Sequence, residues 1–206
     1  AKSFLTSIKD ACEQSHLVLI GGETAEMPGV YQEGDFDCAG FSVGVVDKDL
    51  MWGARQVKEG DVVLGIESSG YHSNGYSLIR KVFEGEFDKY KEWLMKPTEL
   101  YVKATLSLKE KKCLIHAAAH MTGGGIDNLP RVLPEHLTAV IKKWKMPDCF
   151  LEVQKRSGLS DQQMYETFNC GIGFVLILPE TSAQLAVDTL QECLYKVHKL
   201  GLIRTK

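Results

Sequence analysis

Residues 62–83 read VVLGIESSGYHSNGYSLIRKVF, and the change of pattern within them sets the fold class. Val62–Ile66 is a short, continuous apolar run, the signature of a buried strand. From Glu67 to Gly75 the stretch is dense in small hydroxylated residues and glycine, which marks a loop. Apolar groups return at Leu78, Ile79, Val82 and Phe83 on one face of a helix, with Gly85 placed to stop it. Upstream, apolar density falls between Asp47 and Asp61, and Lys58-Glu59-Gly60-Asp61 reads as a turn. A domain boundary is expected near there, dividing the chain into residues 1–52 and 53–206.

Further strands and helices are expected on both sides. Phe4, Leu5, Ile8, Ala11 and Cys12 make one helix face. Leu17–Ile20 reads as a buried strand and Cys38–Val46 as another, with the long acidic, glycine-bearing loop 21–37 between them. Downstream, Leu100–Leu108 is dotted with apolar residues, and Cys113–Ala119 is ambiguous between strand and helix. A short helix is expected over Ile126–Leu133, a strand over Leu137–Ile141, a helix over Ser160–Phe168 and a strand over Gly171–Leu178. The amphipathic helix of Thr181–Leu194 offers Leu185, Val187, Leu190 and Leu194 as its buried side, and Val197–Ile203 reads as a last edge strand. Strands and helices interleave, so the class is α/β, or α+β with a mixed sheet.

Composition excludes several functions. The chain has 206 residues, 44% hydrophobic and 25% charged, with a net charge of −3. That balance gives no basic footprint for nucleic acid. No apolar run approaches the roughly 18–20 residues that cross a bilayer, and no membrane partner is expected. The N-terminus lacks the apolar core of a secretory signal. The six cysteines show no CxxC pair and no zinc-ligand spacing. Reduced thiols in a cytoplasmic protein are expected.

Three glycine-bearing loops carry the chemistry. In the first, Gly21, Gly22, Glu23, Thr24, Ala25 and Glu26 follow an apolar run. Glycine allows a ligand to approach the backbone. Glu23 and Glu26 suit a magnesium ion bridging nucleotide phosphates, or proton transfer, as well as a plain solvated turn. The second loop holds Ser68, Ser69, His72, Ser73, Asn74 and Gly75 ahead of a helix. Free amides there, with Ser and Asn side chains, suit an anion, although Ser73 or Asn74 equally reads as a helix cap. His72 is the group able to titrate near neutral pH. The third loop is Thr122-Gly123-Gly124-Gly125, where exposed amides and a floppy turn are both readings. None of the three is a Walker motif, and no GxGxxG follows a strand. His116, His136 and His198 read as structural or surface groups, and Lys109–Lys112 as a solvated face.

At four places the text becomes specific: GGETAEMPGVYQEGDFDCAGFSVGVVDK from Gly21, SSGYHSNGYSLIRKVF from Ser68, HMTGGGIDNLPRVLP from His120, and TFNCGIGFVLILP from Thr167. In this order and spacing they resemble the aminoimidazole ribonucleotide synthetase (phosphoribosylformylglycinamidine cyclo-ligase) family. The resemblance implies two α/β domains around a shared cleft, usually in a homodimer. Residues 1–52 would be the tail of the N-terminal ATP-binding domain and 53–206 the C-terminal domain. It implies ATP and Mg2+, with K+ reported for the family, and formylglycinamidine ribonucleotide as substrate. ATP would activate the formyl amide oxygen, and an amidine nitrogen would then close the imidazole ring. His72, Glu23 and Glu26 would be the catalytic candidates, the two glutamates also the metal candidates. The glycines, serines, threonines and asparagine of the three loops would hold substrate or phosphate. The family's N-terminal half, with its nucleotide contacts, is a missing partner, so the chain alone is expected to be inactive. His198 departs from the family, which places a glycine there. Two other classes remain open: a degenerate phosphate-binding or regulatory module, and another ATP-dependent member of the superfamily.

Overall fold

The structure, a computed structural model, describes residues 2–206. The chain divides into two compact units, one ending at Met51 and the other spanning Trp52–Lys206.

Among the described residues the first unit holds one α-helix, α1 (Lys2–Gln14), which buries none of its residues. Two strands expected here are not formed. Leu17–Ile20 and Cys38–Val46 are irregular, and Val18, Ile20, Phe41, Val43 and Val45 stand almost wholly exposed. The reason is physical. A strand exists through hydrogen bonds to a neighbouring strand, and among the described residues neither segment has one.

The second unit is built on five strands: β1 (Val62–Glu67), β2 (Ala117–His120), β3 (Leu137–Ile141), β4 (Ile172–Leu178) and β5 (Val197–Thr205). Their order is β2-β4-β1-β5-β3. The expected α+β class holds, but every pairing is antiparallel, so the sheet is not mixed. Nor is β5 an edge strand: it lies between β1 and β3 and pairs with both. Its polar positions His198 and Lys199 concealed this, because they point to solvent from an interior strand.

Six helices complete the unit: α2 (Tyr76–Val82), α3 (Lys91–Leu94), α4 (Val102–Glu110), α5 (Asp148–Ser157), α6 (Asp161–Thr167) and α7 (Glu180–Glu192). The period-two alternation of β1 divides its side chains between two cores. Val62, Leu64 and Ile66 join Leu176 and Leu178 beneath Ala104 and Leu108 of α4 and Ala186 and Leu190 of α7. Val63 faces the other way, with Val175, Ile177, Leu200, Ile203, Met121 and Leu129. Gly65 is required by the latter packing, since a Cβ there would sit 2.7 Å from Leu200 Cδ1. A third core gathers Tyr71, Ile79, Phe83, Leu94, Phe150, Val153, Met164 and Phe168 among α2, α3, α5 and α6.

Two expectations change in detail. The buried side of α7 is Ala183, Ala186, Thr189 and Leu190. Of the expected residues, Leu190 is buried and Val187 packs against the core, whereas Leu185 is 41% exposed and Leu194, past the end of the helix, is 91% exposed; the small residues let the helix approach the sheet. Over 126–133 the chain makes two short 3-10 turns, Gly125–Asn128 and Pro130–Val132, because Pro130 supplies no amide to continue a helix. Helix α5 had no counterpart in the sequence reading. Its signals were Pro147 before an acidic first turn, Phe150 and Val153 three apart, and Gly158 in the left-handed conformation at its end.

Candidate functional site

Antiparallel pairing places the C-terminal ends of β1 and β2 beside the N-terminal end of β4. Glu67 pairs with Ile172, and His120 with Phe174. Three loops therefore leave the sheet at one end: 68–75, 121–128 and 169–171. The first two meet, since a Cβ on Gly123 would lie 3.5 Å from Asn74 Oδ1. The structure thus brings Ser68, Ser69, His72, Asn74 and Gly75 together with Thr122–Gly125.

Buried side chains fix this arrangement. Asn169 is 1% exposed. Its Oδ1 accepts from Ser68 Oγ at 2.9 Å and the Gly171 amide at 2.8 Å, and its Nδ2 donates to the Gly70 carbonyl at 2.9 Å. The Ser69 hydroxyl donates to the Pro97 carbonyl at 2.6 Å. Asn128, 6% exposed, lies beneath the third loop and donates to the Gly125 carbonyl at 2.8 Å. Neither asparagine was singled out from sequence. Each stood inside a quoted motif, and what distinguishes it is burial, which the motif text does not show.

His72 is also inside, 4% exposed, in a left-handed backbone conformation that Ser73 shares. Its Nε2 accepts the amides of Ser69 at 3.0 Å and Glu99 at 3.3 Å. That acceptor role places the ring proton on Nδ1, which is buried without a hydrogen-bond partner among the described residues. Burial, and secondarily the neighbouring His120, pushes the His72 pKa down to about 4. The ring is neutral and occupied in holding two peptide amides. The free acid–base group expected at this position is therefore not what the geometry provides. His120, exposed at the end of β2 with its ring 6.0 Å from that of His72, is the imidazole with an open face. Partial burial lowers its pKa as well. Burial also raises the pKa of Tyr101, whose hydroxyl donates to the Glu67 carbonyl at 2.8 Å.

The glycines divide by role. Gly75 begins α2 in a left-handed conformation, and a Cβ there would collide with the Phe168 ring. One on Gly125 would lie 2.5 Å from the Phe168 carbonyl oxygen. These two serve packing. Gly123 and Gly124 face open space, apart from Asn74 beside Gly123. Neither Ser73 nor Asn74 caps α2; Asn74 Nδ2 donates instead to the His72 carbonyl at 2.8 Å. The segment after Gly125 is a 3-10 turn rather than an α-helix. Any anion on this loop would thus rely on individual amides and not on a helix dipole.

Gly21, Gly22, Glu23, Thr24 and Glu26 all lie in the first unit, irregular and exposed. Among the described residues no group of three or more His, Cys, Asp or Glu is placed to hold a metal. No helix is long and apolar enough to cross a membrane among the described residues.

Comparison with known proteins agrees with this architecture. Residues 58–204 match the family described as AIR synthase related protein, C-terminal domain. Over its full length the chain is 48% identical to phosphoribosylformylglycinamidine cyclo-ligase of Neisseria meningitidis serogroup C, and equally to that of Neisseria meningitidis serogroup B. It covers 63% of each, less than two thirds of these relatives' length. Among solved structures, it is similar to PurLQS from Thermotoga maritima, with a TM-score of 0.50 and 12% identity over 79% of this chain and 25% of that one. It is likewise similar to Thermotoga maritima PurL complexed with AMPPCP, with a TM-score of 0.50 and 13% identity over 79% and 24% of the two chains. Likeness at such identity shows the fold alone.

Proposed function

Because the chain belongs to the AIR synthase related family, whose C-terminal domain it carries, we propose that it is part of an ATP-dependent phosphoribosylformylglycinamidine cyclo-ligase. The observation that carries this reading is the 48% identity to the cyclo-ligases along the whole chain. The site supports it, because the residues of the second and third loop motifs converge at one end of the sheet.

The reaction asks for phosphorylation of the formyl amide oxygen of formylglycinamidine ribonucleotide, followed by attack of the amidine nitrogen to close the ring. An amide oxygen leaves poorly, and phosphorylation makes it a good leaving group. The protein's task is then mainly positioning and charge stabilisation. On this reading the outward amides of Gly123 and Gly124, with Thr122 and Asn74 beside them, receive a phosphate group. His72 acts as a positioning residue through the Ser69 and Glu99 amides, and His120 is the imidazole able to exchange a proton at the open face. Glu23 and Glu26 are the carboxylates that would contact magnesium, which supplies charge neutralisation on the phosphates when bound. The same family reading carries a homodimer in the cytoplasm, with residues up to about 52 belonging to an ATP-binding domain.

The test is conversion of formylglycinamidine ribonucleotide to aminoimidazole ribonucleotide. A protein extended upstream to the length of the relatives should carry it out, using ATP, and the 206-residue chain alone should not. An extended protein that hydrolyses ATP but forms no imidazole would overturn the assignment.

A further inference from the structure

Resting on the phosphate-loop reading above, we propose that Asn128 is the positioning residue that makes the Thr122–Gly125 loop an anion receptor, by drawing its carbonyls inward. Asn128 Nδ2 lies 3.3 Å from the Thr122 carbonyl oxygen, 3.4 Å from that of Gly123 and 2.8 Å from that of Gly125. One buried side-chain nitrogen thus gathers three carbonyls of a four-residue segment. The peptide unit is planar and trans, so each C=O is opposed by the N–H of the following residue. Turning the Thr122 and Gly123 carbonyls inward turns the Gly123 and Gly124 amides outward. Neither of those amides has a hydrogen-bond partner among the described residues. Gly123 is exposed, and the Cβ direction of Gly124 opens onto free space. Gly124 and Gly125 have φ values of 90° and 49°, the left-handed region in which successive amides can converge on an anion.

The orientation of the Asn128 carboxamide is fixed by chemistry. Its Oδ1 accepts from Arg131 Nη1 at 3.1 Å, and a guanidinium can only donate. The oxygen must therefore face Arg131, with the Thr122 hydroxyl donating to it at 3.4 Å, which leaves the nitrogen for the loop. A carboxylate has nearly the same shape but no donor, and would face three carbonyl oxygens. Asparagine is thus required as a donor, a stronger demand than filling space.

The experiment uses the 15N-labelled chain titrated with inorganic phosphate. In the wild type, the Gly123 and Gly124 amides should shift saturably. In Asn128→Asp their apparent affinity should fall roughly tenfold or more, the scale of a lost buried hydrogen-bond set. The Ser68 and Ser69 amides, held separately by the Gly171 carbonyl and by His72 Nε2, should keep their wild-type positions, which a general loosening of the fold would not allow. A folded Asn128→Asp chain with unchanged affinity at Gly123 and Gly124 would overturn the role of Asn128 and leave the phosphate-loop reading standing. Wild-type amides that stay still at saturating phosphate would overturn both. If the carboxylate prevents folding, Asn128→Ala admits water to the three carbonyls, and its phosphate affinity is read against the same outcomes.

Discussion

His72 shows how far burial alters the reading of a single residue. An imidazole in a polar loop suggests proton transfer, yet its Nε2 is committed to two backbone amides. Its pKa of about 4 lies below the ordinary 6.5, so the unfolded chain takes up a proton here before the folded chain does. The stabilisation is present above about pH 6.5 and is lost as pH falls toward about 4. At about 1.4 kcal/mol for each pH unit of displacement, it is on the order of 3 kcal/mol. His120 is displaced in the same direction, so the measurement is comparative. Urea unfolding at pH 7 and pH 5 should show a smaller loss for His72→Gln, which accepts a hydrogen bond but does not titrate, than for the wild type. Equal losses would mean that His72 is not the buried titrating group. Asp61 is a second case. Its Oδ2 lies 2.7 Å from His116 Nδ1 and accepts the Lys58 amide at 2.8 Å, with both side chains buried. Asp61→Ala should cost on the order of 3 kcal/mol in chemical denaturation, because it strands a buried imidazole and an amide. His116 is thus the structural group that its isolation in sequence suggested.

At the scale of elements, glycines and caps decide what forms. Ser160 accepts from the Gln163 amide at 3.3 Å, and Gln163 Oε1 accepts the Ser160 amide at 2.9 Å, so α6 opens on a complete capping box. Ser160→Ala should lower the thermal midpoint by a few degrees, for a loss of about 1 kcal/mol. Gly173 in β4 lies against the Tyr101 hydroxyl and His72 Nδ1, the latter 3.0 Å from where a Cβ would stand. Gly173→Ala should therefore shift the His72 ring resonances and destabilise the domain by roughly 1–3 kcal/mol, whereas Gly85→Ala, with open space around it, should leave the ring unmoved. These elements also mark what the sequence could disclose. Strand β1, helix α2 and helix α6 were legible because local pattern and local structure agree. The interior position of β5 was not, since two polar residues resemble an edge. The loop residues were found because glycine and serine clusters stand out. Their supports Asn128 and Asn169 were not found, because a carboxamide that binds backbone from inside looks, in sequence, like any asparagine.

At the scale of the molecule, the two units differ in how much they bury. Residues from Trp52 onward carry three apolar cores. Expressed alone, 52–206 should unfold in one cooperative transition with coincident circular dichroism and fluorescence midpoints; a broad transition would show that those cores are insufficient. The first unit instead leaves CAGFSVGVV, residues 38–46, without strand partners among the described residues and with Phe41 and Val45 fully exposed. That segment has no charge and no proline, and its β-branched and aromatic residues favour extended pairing. Beyond the Cys38 amide, which donates to Asp37 Oδ1, its peptide groups offer a template to any other copy of the chain. The consequence is colloidal: turbidity at rest should rise steeply with protein concentration and bind thioflavin T. A lysine at position 43 or 45 should keep the solution clear without moving the thermal midpoint of the second unit.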